Sequence, residues 1–284
     1  MRTALLQNFI SFLKVSRIPN LLVIASTQYL VAIFLLDRTI SEVTHPDFFL
    51  LILSTLMIAA AGYIINDYYD QKIDLINRPE RVIVGITFKR RLALFSHSLL
   101  NFSAIVLGFY LDKFIGAIHI FSAFSLWYYS NHLRRLPFLG NLIIAALTGF
   151  TLLIVTVYFR TYSPLTLLFA FFAATITMIR EIIKDIEDVK GESAFGCVTI
   201  PVIWGIRGAK VVIYSISLLG FALLTFFLIR YQNQILWIYF VGLSPIFIWF
   251  IVRLINADRQ KEFKFLRRFC NWIIFSGLVS ILFI

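Results

Sequence analysis

Six acidic side chains stand out by their spacing. Asp67, Asp70 and Asp74 fall at i, i+3 and i+7 within Asn66–Asp74, and Asp185, Asp188 and Glu192 repeat that register within Lys184–Glu192. At about 100° per residue on a helix, each triplet stays inside an arc of roughly 60°, so one face carries three carboxylates. Oxygen ligands of this kind suit Mg²⁺, which keeps several waters and is completed by substrate phosphates more often than by an all-protein cage. Basic residues accompany both clusters. Arg78 and Arg81 follow the first, Lys190 sits inside the second, and Arg134 and Arg135 stand between them. Metal-binding carboxylates with Arg and Lys around them suit a phosphate or diphosphate ligand. Carboxylates alone repel such an anion, so the pattern predicts metal dependence.

Two other readings use the same residues. An acidic run at a helix end is commonly a solvated loop, but a shared register after two separate apolar runs argues against coincidence. Intramembrane carboxylates also line ion or proton pathways in transporters. That reading leaves the neighbouring basic residues without a role.

The elements that must position these clusters are apolar. The chain is 60% hydrophobic and 14% charged, with a mean hydropathy of +0.87, which excludes a soluble domain and predicts an all-α, polytopic membrane protein. Runs long enough to cross about 30 Å of hydrocarbon occupy residues 18–36, 48–66, 92–111, 114–131, 138–159, 163–183, 208–230, 235–256 and 267–284. The polar breaks at 67–91 and 184–207 hold the two clusters. A carboxylate at the centre of a spanning helix costs about 2.5–3.5 kcal/mol, so six are expected at a water- or metal-filled cavity near one face. The first apolar run lacks a small-residue cleavage site and reads as a retained helix.

The net charge of +11 would suit nucleic acid, but its distribution assigns it to topology. Only Arg38, Lys113, Arg160 and Arg230 fall outside the segments on the N-terminal side, leaving 22 of 26 basic residues there. The positive-inside rule places the N-terminus and the cluster-bearing segments in the cytoplasm, and the C-terminus, Ile284, outside. The acids agree, with 11 of 15 on the same side. Chemistry is therefore expected at the cytoplasmic face, and nucleic acid is excluded as a partner. The group Arg259, Lys261, Lys264, Arg267 and Arg268 reads first as a topology anchor, although such a cluster also attracts anionic lipids. Cys197 and Cys270 have no metal-type spacing, and His45, His97, His119 and His132 are scattered. Without linkers or low-complexity tracts, residues 1–284 read as one membrane domain. One cluster follows span 2 and the other span 6, which suggests a pseudo-repeat of spans 1–4 and 5–8 with span 9 added.

At the level of motifs the chain resembles the UbiA superfamily of intramembrane prenyltransferases. Asn66-Asp67-x-x-Asp70-x-x-x-Asp74, followed by Asn77-Arg78-Pro79-x-Arg81, resembles the first aspartate-rich motif. Arg180-Glu181-x-x-Lys184-Asp185-x-x-Asp188-x-x-Gly191-Glu192 resembles the second, and Tyr129-Ser130-x-x-x-Arg134-Arg135, continuing to Gly140-Asn141, the tyrosine-basic motif between them. Two positions depart from the family pattern. Glu192 stands where Asp is usual, and Arg134 where Lys is common; guanidinium and ammonium bind phosphate with different geometry.

The resemblance implies a bundle of nine transmembrane helices around a cytoplasmic-side cavity, capped by the motif segments and open to the bilayer. Two Mg²⁺ ions would be held by Asn66, Asp67, Asp70 and Asp74 and by Asp185, Asp188 and Glu192, with Asp67, Asp70, Asp185 and Asp188 as the catalytic acids. Asn20, Asn66, Arg78, Tyr129, Arg134, Lys184 and Lys190 would contact substrate. The implied reaction removes diphosphate from a polyprenyl donor, geranylgeranyl diphosphate by the form of the second motif, and transfers the resulting allylic cation to an acceptor. That form is nearest the branch whose acceptor is geranylgeranylglyceryl phosphate. Aromatic acceptors of quinone or chlorophyll biosynthesis remain alternatives. The implied location is the inner membrane of the cell, among membrane lipids.

Overall fold

A computed structural model describes residues 2–231 and 234–283, which are helical apart from short connections. Among the described residues, the expected spans fall almost wholly within helices. Eight helices among the described residues are long and apolar enough to cross a bilayer. The remaining expected span, 114–131, is a 19-residue helix whose His119, Ser122, Ser125, Tyr128, Tyr129 and Ser130 lower its hydropathy. Large apolar side chains such as Phe102, Leu218 and Phe226 are about two-thirds exposed, as a lipid-facing surface requires. The protein is an integral membrane protein. The expected outside position of Ile284 falls beyond the described residues.

The described chain forms two compact units. The first runs to Arg134 and includes Ile154–Tyr162. It contains α1 (Arg2–Val15), α2 (Ile18–Leu30) continued by a π-helical stretch at Val31–Leu35, a short α3 (Ile40–Val43), α4 (Pro46–Asn77), α5 (Arg90–Leu111) and α6 (Lys113–Asn131). The close packing of α4, α5 and α6 depends on small residues. A Cβ on Gly62 of α4 would come within 2.8 Å of Leu126, and one on Gly108 of α5 within 3.1 Å of the Gly116 backbone on α6. Buried polar groups pair across the same helices: His119 with Ser54 at 2.8 Å, and His97 with the Ala61 carbonyl at 3.0 Å.

The second unit comprises Arg135–Leu153 and the chain from Ser163. It holds most of α7 (Leu139–Phe159), then α8 (Pro164–Ala194), α9 (Ile200–Tyr231), α10 (Gln234–Ile255) and α11 (Gln260–Ser280). Its core is α8, whose Phe172, Ile176, Ile179, Ile183 and Ile186 pack among residues including Phe250, Leu254, Phe263 and Leu266. Gly277 admits the Phe172 ring, which lies 2.7 Å from where a Cβ would stand.

Both cluster-bearing helices are long, 32 residues for α4 and 31 for α8. Each starts at a proline, Pro46 or Pro164, at a position where the missing N–H costs nothing. At 1.5 Å per residue they reach about 47–48 Å, well beyond about 30 Å of hydrocarbon. The polar breaks expected at 67–91 and 184–207 are therefore not loops throughout. Helix continues to Asn77 and Ala194, and the carboxylates ride on its last turns. The first helix stops before Pro79, with Arg78 at φ −152°, ψ 63°, outside the α region that a following proline disfavours. The second stops just ahead of Gly196, which takes φ +68°.

Candidate active site

In the first unit, the carboxylates of α4 occupy one face and meet cations contributed from elsewhere in the chain. Asp70 is 3% exposed and Arg134 7%, and the two form a buried ion pair. Asn66, one turn earlier on α4, donates its amide to the same Asp70 carboxylate. Arg134 reaches it from a 3-10 turn, Leu133–Arg135, just after α6. Asp67 pairs with Arg17 at 2.7 Å. Arg17 adopts left-handed backbone, φ 52°, between α1 and α2, and its guanidinium lies 4.9 Å from the centre of the Tyr63 ring. Desolvation is the largest single influence and opposes the charge on Arg17, but Asp67, Tyr63 and Asp74 together outweigh it and the pKa is raised. Asp74 is half-buried one turn further along, and its carbonyl accepts from the Arg78 N–H at 2.7 Å. Tyr129 is buried near the end of α6, whereas Asn20 lies exposed in the first turn of α2.

In the second unit, Asp188 and Glu192 are each 1% exposed, with Asp185 half-buried on the same face of α8. Asn141 of α7 donates to Asp185 Oδ2 at 2.7 Å. The Thr199 hydroxyl donates to Glu192 Oε2 at 2.7 Å. Four residues before Asp185, and so within the same stripe, Glu181 is buried and bonded to Arg180 at 2.6 Å and Lys184 at 3.5 Å. Lys190 is exposed. Glu187 falls about 200° around the helix from Asp185 and belongs to a different contact. It is 3% exposed and pairs with Arg267 of α11 at 2.7 Å, tying the two helices together.

Each unit thus brings its own expected acids onto one helix face. Four residues beside the clusters were not assigned to the site from sequence: Arg17, Asn141, Thr199 and Glu181. Asn141 had a visible signal, since it closes the tyrosine-basic motif, and Glu181 had its helical register. Arg17 had only its place three residues before Asn20, and Thr199 had none, because its contact depends on tertiary placement.

The donor set is carboxylate and amide oxygen, which fits a hard divalent cation and not a soft one. Among the described residues, no three of His, Cys, Asp and Glu converge closely enough to hold a metal by themselves. Buried carboxylates beside guanidinium and ammonium groups can bind a metal–diphosphate pair and stabilise charge on a leaving diphosphate.

Comparison with known proteins agrees with the motifs. The UbiA prenyltransferase family profile matches residues 26–273. Digeranylgeranylglyceryl phosphate synthase of Methanothermobacter thermautotrophicus is 36% identical over 61% of this chain and 62% of its own length. That of Methanobrevibacter smithii is 31% identical over 83% of this chain and 86% of its own. The alignment thus spans less than two-thirds of the former relative and most of the latter. Among solved structures, one for digeranylgeranylglyceryl phosphate synthase in membranes superposes with a TM-score of 0.74 at 20% identity, covering 96% of this chain and 97% of the other. A UbiA homologue from Archaeoglobus fulgidus bound to DMAPP and Mg²⁺ gives a TM-score of 0.67 at 13% identity, covering 96% and 100%. These likenesses establish the shared fold.

Proposed function

The chain belongs to the UbiA prenyltransferase family, and from that premise we propose that it transfers a geranylgeranyl group from its diphosphate to geranylgeranylglyceryl phosphate, with Mg²⁺. The observation that carries this is the pair of buried carboxylate stripes at the ends of α4 and α8, each with cationic or amide partners. The relatives named for this activity support the acceptor. The Mg²⁺ and DMAPP bound to the Archaeoglobus homologue support the metal and the donor class.

In this reading Asn66, Asp67, Asp70 and Asp74 hold one ion and Asp185, Asp188 and Glu192 the other. Bound Mg²⁺ supplies positive charge against the departing diphosphate. Arg78, Arg134, Lys184 and Lys190 contact the diphosphate oxygens, and Asn20 and Tyr129 line the substrate cavity. The acceptor hydroxyl attacks the first carbon of the allylic group as the C–O bond to diphosphate breaks, and its proton leaves to solvent or a basic oxygen. The site opens on the cytoplasmic side of the inner membrane, with the N-terminus on that side and the C-terminus outside. In α4 and α8 the first acid of the triplet, Asp67 or Asp185, follows the initial proline at the same interval. This supports a single membrane domain built by duplication of spans 1–4 and 5–8, with span 9 added.

The test is purified protein with Mg²⁺ and geranylgeranyl diphosphate, offered geranylgeranylglyceryl phosphate, a dihydroxynaphthoate and a hydroxybenzoate in parallel. Product is expected with the first alone, lost in EDTA and restored by Mg²⁺. Prenylation of an aromatic acceptor instead would reassign the branch. Diphosphate release with none of the three would defeat the enzyme reading.

A further inference from the structure

The second motif departs from the family pattern at Glu192, and the structure places an unassigned residue against that position. Glu differs from Asp by one methylene and one rotatable bond, so its carboxylate reaches further and is less well aimed by the backbone. A metal ligand of this length needs a partner that fixes its orientation.

Thr199 is positioned to be that partner. After Glu192 the helix closes on itself, and the Glu192 carbonyl accepts from the N–H groups of Phe195 at 3.2 Å and Cys197 at 3.0 Å. Gly196, at φ +68°, turns the chain back, and α9 then starts. The Thr199 carbonyl accepts from Val202 and Ile203, both at 3.0 Å, so Thr199 holds the N-cap position of α9. A threonine there ordinarily uses its side-chain oxygen to accept from the second or third helical N–H. The second helical residue is Pro201, which has no N–H, and the third, Val202, donates to the Thr199 backbone. The hydroxyl proton goes instead to Glu192 Oε2 at 2.7 Å, between residues that are 2% and 1% exposed.

We propose that Thr199 is a positioning residue for Glu192, fixing one carboxylate oxygen and hence the plane in which the other is presented to a divalent cation. The longer acid and its hydroxyl partner then act as a unit that does the work of a shorter, self-aimed aspartate. This rests on the reading of Asp185, Asp188 and Glu192 as a metal site, so the experiment separates the two.

Divalent metal affinity is measured on substrate-free protein in detergent, by Mn²⁺ titration with paramagnetic resonance detection, alongside thermal unfolding. Thr199→Val removes the donor at nearly constant shape and is expected to weaken binding by roughly 10–100-fold, the usual cost of losing a partner of a metal ligand. Thr199→Ser keeps the hydroxyl and is expected to stay near the parent protein. In a Glu192→Gln background, Thr199→Val is expected to cost little more, because residues acting through one another are not additive. If Thr199→Val does not fold, Thr199→Ala takes its place in the same cycle. Unchanged affinity in folded Thr199→Val or Thr199→Ala, or a full and additive loss in the Glu192→Gln background, overturns the positioning role. If Asp188→Asn and Glu192→Gln together leave Mn²⁺ binding intact, the metal-site reading itself fails and the inference fails with it.

Discussion

The ion pair of Asp70 and Arg134 permits a quantitative prediction. Their side chains are 4% and 7% exposed, so solvent screens the pair little. Replacing Arg134 by Met keeps most of the volume and leaves the Asp70 charge with the Asn66 amide as its remaining known donor. Removing one member of a buried pair costs about 3–5 kcal/mol. The retained amide places the loss near the lower end, about 3 kcal/mol, or on the order of a hundredfold in the folding equilibrium. Adding Asp70→Asn removes the stranded charge, so the double variant is expected to recover most of the loss. A divalent cation at the same carboxylate would substitute for the guanidinium, and Mg²⁺ should therefore stabilise Arg134→Met more than the parent chain. At a hundredfold excess over Kd this linkage is worth about 2.7 kcal/mol. Unfolding followed by tryptophan fluorescence in detergent, with EDTA and with Mg²⁺, measures all of this. If Arg134→Met unfolds together with the parent chain in EDTA, Asp70 does not depend on Arg134 for compensation. An equal response of both chains to Mg²⁺ would refute the idea that metal and guanidinium compete for one carboxylate.

Two further predictions concern residues beside the clusters. Glu187 faces away from the metal stripe towards Arg267, so Glu187→Gln should cost about 3 kcal/mol of stability, the low end for a buried pair. Its metal affinity, measured by the same Mn²⁺ titration, should be unchanged, and a large loss there would place Glu187 in the site after all. Gly85 takes φ +87°, and a Cβ there would lie 2.2 Å from Gln71 Nε2, on a side chain that Arg90 also holds at 3.1 Å. Gly85→Ala should cost about 1–2 kcal/mol from the left-handed backbone alone and speed hydrogen exchange across residues 78–89; unchanged exchange would show that the turn absorbs the substitution.

Much of the architecture was legible because two periodicities dominate this chain. Hydropathy located the membrane helices, eight of which are long and apolar enough to cross a bilayer among the described residues, and the i, i+3, i+7 register located both acidic faces. Hydropathy did not show where α4 and α8 end, since a window of apolar residues reports on lipid and not on the backbone hydrogen bonds that carry helix past the membrane. The stop signals were present nonetheless, at Pro79 and Gly196. Which partner meets which acid was not legible. Arg17 lies 50 residues from Asp67 and Asn141 44 residues from Asp185, and nothing local to either segment specifies the pairing. Arg134 was marked as a diphosphate contact through its motif, but its burial against Asp70 depends on how the turn after α6 packs beside α4.

The partners also differ between the clusters in a way that spacing conceals. Asp67 and Asp70 meet guanidinium groups, which neutralise as well as orient. Asp185 and Glu192 accept from an amide and a hydroxyl, which orient these oxygens. Two triplets with one register therefore present different electrostatics. Under the proposed function, Asp185 and Glu192 would offer a cation carboxylates oriented by Asn141 and Thr199, while Asp67 and Asp70 would have to give up a guanidinium to do so. The displaced Arg134, a residue already suited to bidentate phosphate contact, then becomes available to the incoming diphosphate. The arginine at this position, in place of the commoner lysine, thereby has a physical reason: its planar fork can serve a carboxylate before the metal arrives and a diphosphate afterwards.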